Sequence, residues 1–401
     1  MAAPDPRRAR IAIVTELVTP HGGGGVSSAH FSLCQLLRRQ GYRHVELFPF
    51  VTPLTGLLGL AVRLLRQLLR RGLGLLDGAL AWECPDIVRG AAMAQSALAA
   101  LDDYRPDIVI APDHGAPLLA IRKPSGCRWV LVSHHNPMRF VGVPGLPPHS
   151  LRDARWAVAL ENRVCRRVDA VVCPTAYMAE QFRRTYRSNA PLAVIPNLVD
   201  FDYLDGIGRV SVAARLGLPE QAVIFYLPSL GSQIKGRGHA RALLQALAER
   251  YRGMSLGCYV SGAPLDAADC PTGMHLYMPG RLDYGSHLAL VRSCTVCVSP
   301  TLVENFGMAL AESVALGVPV VSFDVGGNRE WLPLDACGTL VAPGDVPGLA
   351  EAARPYALAQ DRDALQERVR RRAREQLAPE PVAARWEALL SDVLAQAEEE
   401  A

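Results

Sequence analysis

The fold is decided by residues 299–330, which read SPTLVENFGMALAESVALGVPVVSFDVGGNRE. The β-branched run at 296–298, stopped by Ser-Pro, predicts a strand. Residues 306–316 are rich in Ala, Leu, Met and Glu, which predicts a helix that ends at a glycine. Residues 318–323 predict a second buried strand. Strand, loop, helix and strand in this order place the loop at the carboxyl edge of a parallel sheet, where open α/β folds bind ligands.

Two carboxylates flank the start of this helix. Glu304 lies just before it, and Glu312 lies eight residues later, inside it. The first helical turn offers unpaired N–H groups and a positive dipole end, which suit phosphate or sugar oxygens. The spacing alone leaves an alternative open, in which Glu304 caps the helix and Glu312 is a solvated surface residue.

The same stretch resembles the donor site of the retaining glycosyltransferases of family 4. The resemblance rests on Glu304-x7-Glu312, Phe306-Gly307 between them, residues 317–321, and Gly326-Gly327-x-x-Glu330. It implies a GT-B fold, an α/β architecture of two Rossmann-like doubly wound domains facing a cleft. It also implies that Asn305, Phe306, Gly307 and Met308 contact the donor.

Length and composition agree with a two-domain globular protein. The 401 residues suggest two domains, given about 100–200 residues for each. Half of the residues are hydrophobic and 20% are charged, which excludes global disorder. A net charge of +3 is too weak to indicate a nucleic-acid partner. The ten cysteines are scattered among apolar neighbours, which predicts reduced, buried thiols and a cytoplasmic protein. The arginine- and alanine-rich composition is compatible with a bacterial protein.

Targeting, membrane and metal signals are weak. The apolar run that follows Arg10 is broken by Glu16, so we expect no signal peptide. No stretch of about 20 uncharged apolar residues predicts a membrane span. Cys294-x-x-Cys297 lies on a strand pattern without a partner pair, so we expect no metal there.

The chain begins with a strand, a glycine-rich loop and a helix. Residues 11–15 predict a buried strand, Gly22 to Gly25 form the loop, and residues 26–39 have helical spacing. Glycines let backbone amides approach a diphosphate closely, although a tight turn without a ligand has the same pattern. The resemblance places Gly23 and Gly24 at the donor.

Two strand patterns in the first half end in histidines. Residues 106–114 end at His114, and residues 129–137 contain His134 and His135. Side chains at the carboxyl ends of parallel strands are well placed for chemistry. The resemblance matches His135 to a histidine that contacts the donor sugar near the reacting carbon, and His134 and His114 remain candidates.

The second half begins with a strand at 222–227 and a glycine turn. Family 4 enzymes usually carry an arginine and a lysine here, which neutralise the donor diphosphate. Lys235-Gly236 matches the lysine, in a chain whose other lysine is Lys123. Ser229 or Leu230 stands where the arginine is expected, which removes a charge-assisted contact of about 1.5–3 kcal/mol. Arg237 is a candidate substitute.

The resemblance also assigns the nucleobase slot and the domain limits. Gly280, Arg281 and Leu282 are expected at the base. We expect an N-terminal acceptor domain at 1–197, a donor domain at 206–380, and a helix at 381–401 that returns to the first domain. Pro-rich residues 137–150 are expected to form an acceptor loop.

Residues 54–76 mix leucines with arginines. Arg63, Arg66 and Arg70 share one helical face, with leucines around the rest. This pattern allows weak peripheral contact of residues 57–71 with an anionic membrane. We favour a surface helix whose leucines pack inward, because four glycines weaken a continuous helix.

The resemblance implies a retaining, metal-independent glycosyltransferase with a nucleotide-diphosphate sugar as donor and no other cofactor. Lys235 would stabilise the leaving diphosphate, Glu304 would hold the sugar hydroxyls, Glu312 the ribose, and His135 the reacting centre. The acceptor is a small molecule or a glycan that the sequence does not identify. Two alternatives stay open: other GT-B chemistry, such as epimerisation or hydrolysis, and a non-catalytic nucleotide-sugar binder.

Overall fold

The computed structural model describes residues 5–18, 24–51 and 54–399. Within them the chain divides into two compact units. The first unit comprises Met1–Gly142, Pro147–Leu198 and Pro379–Ala401, and the second unit comprises Val143–Leu146 and Val199–Ala378. The predicted glycines Gly22 and Gly23 lie outside the described residues, and Gly24 is the first residue of a helix.

Each unit contains one parallel sheet of six strands. The strands are β1 (Arg10–Thr15), β2 (His44–Pro49), β3 (Ile108–Pro112), β4 (Arg128–Val132), β5 (Ala170–Cys173), β6 (Leu192–Val194), β7 (Val223–Leu227), β8 (Leu256–Val260), β9 (Met274–Tyr277), β10 (Val296–Ser299), β11 (Val320–Phe323) and β12 (Gly338–Val341). Most are continuous Val/Ile/Leu-rich runs, as expected for strands that are covered on both faces.

Helices connect and cover these strands. They are α1 (Gly24–Arg39), α2 (Gly56–Asp77), α3 (Glu83–Tyr104), α4 (Leu151–Cys165), α5 (Ala176–Thr185), α6 (Phe201–Asp205), α7 (Val212–Arg215), α8 (Ala240–Arg250), α9 (Tyr284–Val291), α10 (Met308–Ala315), α11 (Asn328–Trp331), α12 (Val346–Ala352), α13 (Arg354–Ala357), α14 (Arg362–Gln376) and α15 (Pro379–Glu399).

The first sheet has the order β2-β1-β3-β4-β5-β6 and is covered on both faces. Ile11 and Ile13 of β1 pack in one cluster with residues of α1 and α15. Ala12 and Val14, which point the other way, pack in a second cluster with residues of α3 and α5. The prediction of a doubly wound sheet is confirmed.

The second sheet has the order β9-β8-β7-β10-β11-β12. Counted within the unit this is 3-2-1-4-5-6, the order of dinucleotide-binding folds. The strand order reverses between β7 and β10, and ligands bind at the carboxyl ends of the two strands at such a point. The loops that follow β7 and β10 therefore form the expected site.

The prediction of a surface helix at residues 54–76 is confirmed, but the prediction that its leucines pack inward is wrong. α2 runs without a break through all four glycines. Gly59 faces inward, where a Cβ atom would come within 2.3 Å of the Leu54 carbonyl oxygen, so a larger residue would not fit there. Most of its leucines face solvent, with Leu57 86% exposed and Leu68 69% exposed. The inward face instead carries Gly59, Val62 and Leu73.

Two further features concern the cysteines and the longest helices. All ten cysteines are unpaired, and nine of them are buried. Across the residues that the structure describes, we find no helix with the length and hydropathy needed to cross a membrane.

Candidate functional site

In the second unit, the loops after β7 and β10 meet at an ion pair. Lys235 Nζ lies 2.5 Å from Glu304 Oε2, with 28% and 14% of the two side chains exposed. The backbone ties the loops together, since Leu302 donates a hydrogen bond to the Ile234 carbonyl oxygen. The sequence candidates Lys235 and Glu304 are thus adjacent, at the point where the strand order reverses.

Two glycines allow this close approach. A Cβ on Gly236 would come within 2.3 Å of the Pro300 carbonyl oxygen, and a Cβ on Gly326 within 1.9 Å of the Glu304 carbonyl oxygen. Both glycines also have positive φ angles, of 96° and 63°. Glycine at positions 236 and 326 therefore allows neighbouring segments of the backbone to pack closely against the loop that contains Glu304.

The helix after Glu304 begins later than the sequence predicts. Phe306 lies in the loop, buried and stacked on Trp331 with 5.3 Å between ring centroids. Gly307, at a φ of 75°, is the N-cap of α10, and the structure gives no side-chain capping bond there. The N-cap residue is therefore Gly307 and not Glu304, and Met308 and Ala309 are the first residues of the helix.

A buried amide lies beside the beginning of α10. Asn328 is fully buried, and its Nδ2 and Oδ1 atoms have no hydrogen-bond partner among the described residues. A Cβ on Gly307 would come within 2.8 Å of Asn328 Oδ1. Buried amides are usually satisfied, so this one is a candidate to meet a ligand hydroxyl.

Glu312 is buried and not a solvated residue. It is 8% exposed and accepts a hydrogen bond of 2.7 Å from the Tyr284 hydroxyl. Burial raises the pKa of Glu312 to about 7, although the bond from Tyr284 lowers it. Near neutral pH this carboxyl group can therefore both accept and donate hydrogen bonds.

The second unit also contains a pocket of about 410 Å³. It is lined by Tyr259, Ser261, Gly262, Gly280, Arg281, Leu282 and His287. Three of the sequence candidates, Gly280, Arg281 and Leu282, thus share one concave surface. The rings of Tyr259 and His287 in its lining fit a planar heterocycle.

The position of the missing arginine is a tight turn. Ser229 has a φ of 50°, which is uncommon for a residue with a side chain, and its N–H donates to Ser261 Oγ over 3.1 Å. Leu230 is fully buried. Arg237 reaches back towards this turn, since its guanidinium donates to the Gly231 carbonyl oxygen over 3.3 Å.

In the first unit, Asp113 orders the residues that follow β4. Its carboxylate accepts hydrogen bonds from the N–H groups of His134 and His135 and from the Ser133 hydroxyl. Asp113 is 6% exposed, and burial raises its pKa even though these three partners lower it. This carboxylate fixes the turn that carries His135.

His135 forms an ion pair with Glu83, the first residue of α3. His135 Nε2 lies 2.7 Å from Glu83 Oε2, and the two side chains are 17% and 15% exposed. Burial alone would lower the pKa of His135, but Glu83 outweighs it and raises that pKa to about 9. The imidazole is therefore protonated near neutral pH, and the structure gives its Nδ1–H no hydrogen-bond partner among the described residues.

The two rival histidines have different surroundings. The His134 ring packs 5.4 Å from the His30 ring of α1, and burial lowers the pKa of His134 far below its usual value. His114 lies 3.4 Å from Glu16 and 5.1 Å, centroid to centroid, from His135. Burial, followed by the charge of His135, lowers the pKa of His114 to about 4. These environments favour His135 as the charged group.

Sequence reasoning missed Glu83, Asn328 and Tyr284. Glu83 lies at a helix start, where an acidic residue is common for electrostatic reasons alone. Asn328 stands inside the Gly326-Gly327-x-x-Glu330 motif and was available as a signal.

Two families match most of the chain. The family described as Glycosyltransferase Family 4 matches residues 23–203, and Glycosyl transferases group 1 matches residues 265–376. A glycogen synthase of Mycobacterium tuberculosis is 29% identical over 230 residues, which cover 56% of this chain and 53% of that protein. The chain therefore spans about half the length of this curated relative.

Solved structures resemble the fold over nearly the whole chain. The sucrose-phosphate synthase of Thermosynechococcus elongatus superposes with a TM-score of 0.68 at 18% identity, covering 97% of this chain and 100% of that one. HepE of Anabaena, solved with UDP-glucose, gives 0.60 at 17% identity, with coverages of 96% and 100%.

Proposed function

This chain belongs to glycosyltransferase family 4 and has the GT-B fold, and we propose that it is a retaining glycosyltransferase. It transfers a sugar from a nucleotide-diphosphate sugar to a small-molecule or glycan acceptor, without a metal ion or another cofactor. The observation that carries the proposal is the pairing of Lys235 with Glu304 where the strand order of the second sheet reverses.

In this proposal, different residues of the second unit bind different parts of the donor. The nucleobase enters the pocket at Gly280–Leu282, and Glu312 with Tyr284 meets the ribose hydroxyls. The diphosphate meets Lys235 and the first N–H groups of α10, where positive charge favours an anion. Glu304 holds hydroxyls of the sugar, and the unpartnered amide of Asn328 offers a second contact there.

The reaction we propose makes and breaks one bond at the anomeric carbon. The acceptor hydroxyl oxygen attacks this carbon from the face of the leaving group, and the bond to the diphosphate oxygen breaks with its electron pair. The acceptor proton passes to the leaving phosphate, so no side-chain base is required. Lys235 stabilises the charge that develops on the diphosphate, and protonated His135 donates a hydrogen bond near the sugar.

The ion pair has a consequence for donor binding. Lys235 is held by Glu304 in the free protein, so the diphosphate and the carboxylate compete for the same ammonium group. A bound donor satisfies both groups at once when Lys235 turns to the phosphate and Glu304 accepts sugar hydroxyls. Donor binding therefore replaces one charge-assisted contact with two.

The compartment we propose is the cytoplasm. All ten cysteines are unpaired, and nine of them are buried, as in proteins of reducing compartments.

Nucleotide binding tests the donor site. We expect one of UDP, GDP, ADP and TDP, at 100 times its Kd and with EDTA present, to stabilise the fold by about 2.7 kcal/mol. This corresponds to a rise in Tm of roughly 5–10 °C for a unit of this size. Lys235→Ala should abolish the shift, while Lys123→Ala, at the chain's other lysine, should keep it.

The outcomes separate the proposed function from its rivals. If no nucleotide raises Tm, or if the shift needs a divalent metal, the donor site as described is wrong. Binding without turnover of matched nucleotide sugars would favour a non-catalytic binder. Release of free sugar without an acceptor would favour hydrolysis. An inverted anomeric configuration of the product, measured by NMR, would contradict retention.

Arg237 is expected to take over from the missing arginine. Arg237→Ala should raise the donor KM about ten- to hundredfold, since a charge-assisted hydrogen bond contributes about 1.5–3 kcal/mol. Steady-state kinetics at varied donor concentration measures this, with Arg241→Ala, an exposed arginine of α8, as the matched control. Unchanged KM and kcat in Arg237→Ala would rule the substitution out.

A further inference from the structure

Helix α2 of the first unit presents leucines to solvent. The leucines with more than a third of their surface exposed are Leu57, Leu58, Leu60, Leu64, Leu65, Leu68, Leu75 and Leu76. Folded proteins seldom expose large contiguous apolar patches, and those that do use them as binding surfaces. The polarity of this helix is thus the reverse of an ordinary surface helix, which buries its leucines.

Four of these leucines form a straight line along the helix. At 100° per residue, Leu57, Leu64, Leu68 and Leu75 lie within about 20° of one direction and span about 27 Å. We call these four residues the leucine face. The opposite side carries the buried residues Gly59, Val62 and Leu73, which shows that the leucine face points away from the unit.

The charges of α2 are all positive until its last residue. The helix contains Arg63, Arg66, Arg70 and Arg71, and no acidic residue precedes Asp77. Arg66 is used internally, since its guanidinium pairs with Asp86 of α3 at 3.0 Å. Arg63, Arg70 and Arg71 are exposed beside the leucines, and Arg70 lies over the Trp82 ring at 4.2 Å.

We propose that α2 lies on an anionic membrane surface, with the leucine face among the acyl chains and the arginines at the lipid phosphates. An apolar face bordered by arginines is the pattern of helices that lie in the membrane interface. Arginine is suited to this place because its apolar stem can run along the leucines while its charge reaches phosphate.

The charge pattern favours lipid over a second copy of the chain. Two α2 helices packed face to face would bring together arginines of one sign, and the one acidic residue of the helix, Asp77, lies at its end. An anionic bilayer supplies both the apolar and the negatively charged environment. The inference stands apart from the proposed reaction, because it concerns residues that take no part in donor binding.

Vesicle flotation of the full chain tests the proposal. We expect the chain to float with vesicles of phosphatidylcholine and phosphatidylglycerol, and to bind at least about tenfold less to phosphatidylcholine alone or in 0.5 M salt. The variant Leu64→Gln/Leu68→Gln should lower partitioning at least about tenfold with an unchanged Tm, since both leucines are exposed. Arg63→Gln/Arg71→Gln should reduce the preference for anionic lipid.

The matched control is Leu334→Gln/Leu358→Gln, which removes two exposed leucines from the second unit and should float like the wild type. Failure to float, or flotation that survives Leu64→Gln/Leu68→Gln, would overturn the proposal. A dimer in light scattering that the same variant dissociates, without vesicle binding, would assign the face to a second copy instead. Nucleotide-induced stabilisation, measured on the same variant, reports separately on the donor site.

Discussion

Replacing Glu304 with glutamine should lower kcat at least about a hundredfold, while the chain stays folded. The carboxylate is the only group that changes, and glutamine keeps its shape. We expect this loss because, in the proposed site, Glu304 accepts sugar hydroxyls whose hydrogen bonds strengthen as positive charge develops at the anomeric carbon. Single-turnover kinetics with a saturating donor measures this effect directly.

The affinity for the nucleoside diphosphate distinguishes a specific loss of catalysis from a general disruption of the donor site. Glu304→Gln removes the carboxylate that holds Lys235, so the affinity for the nucleoside diphosphate should stay the same or increase. Glu367→Gln, at a carboxylate that is 71% exposed on α14, is the control and should leave both quantities unchanged. Full kcat in Glu304→Gln would contradict the site assignment.

Replacing Glu83 with glutamine should lower activity about thirtyfold at pH 8. Without Glu83, burial lowers the pKa of His135 from about 9, while the charges of Glu161 and Asp113 oppose this shift. If the pKa returns to its usual 6.5, about 3% of the imidazole is protonated at pH 8. If the protonated ring assists transfer, the alkaline limb of the pH–rate profile should move to lower pH, and activity should recover towards pH 5.5.

The same substitution should change stability with a defined pH dependence. Because folding raises the pKa of His135, its stabilising contribution is complete below pH 6.5 and is lost as pH rises through about 9. Folding lowers the pKa of Glu83 from 4.5, so its contribution is present above pH 4.5 and is lost at more acidic pH. The Tm difference from wild type should therefore be largest at about pH 5–6.

Glu180→Gln provides the control, since Glu180 pairs with Arg184 on the surface of α5. A pH–rate profile of Glu83→Gln that coincides with that of the wild type would show that Glu83 does not act through His135. A uniform loss at every pH would assign Glu83 a purely structural role.

The sequence predicts the architecture well because its strands are buried on both faces. Continuous runs such as 108–112 and 296–298 carry a strong apolar signal, and the turns after them contain the residues of the candidate site. Lys235 and Glu304 were predictable as neighbours, since parallel strands bring their following loops to one edge. The exact start of α10 was not, because Gly307 sets it through a left-handed backbone.

Two features depend on long-range packing that periodicity does not contain. The pattern of α2 shows which residues share a face, but not which face the rest of the unit covers. The partner of His135 comes from the start of α3, 52 residues away in sequence, where Glu83 has no local signal beyond a helix dipole. Its role follows only from the distance between the two side chains.

The C-terminal helix has a consequence for the order of folding during synthesis. Val382, Trp386 and Leu390 of α15 are part of the hydrophobic core beside β1 and β4, and Arg128 donates to the Gln396 carbonyl oxygen. The first half of the chain cannot complete this core until α15 has left the ribosome. At 5–20 residues per second, synthesis of the intervening 199–378 takes roughly ten to forty seconds. The later half can therefore finish folding first, while the side of the N-terminal sheet that packs against α1 and α15 stays partly uncovered.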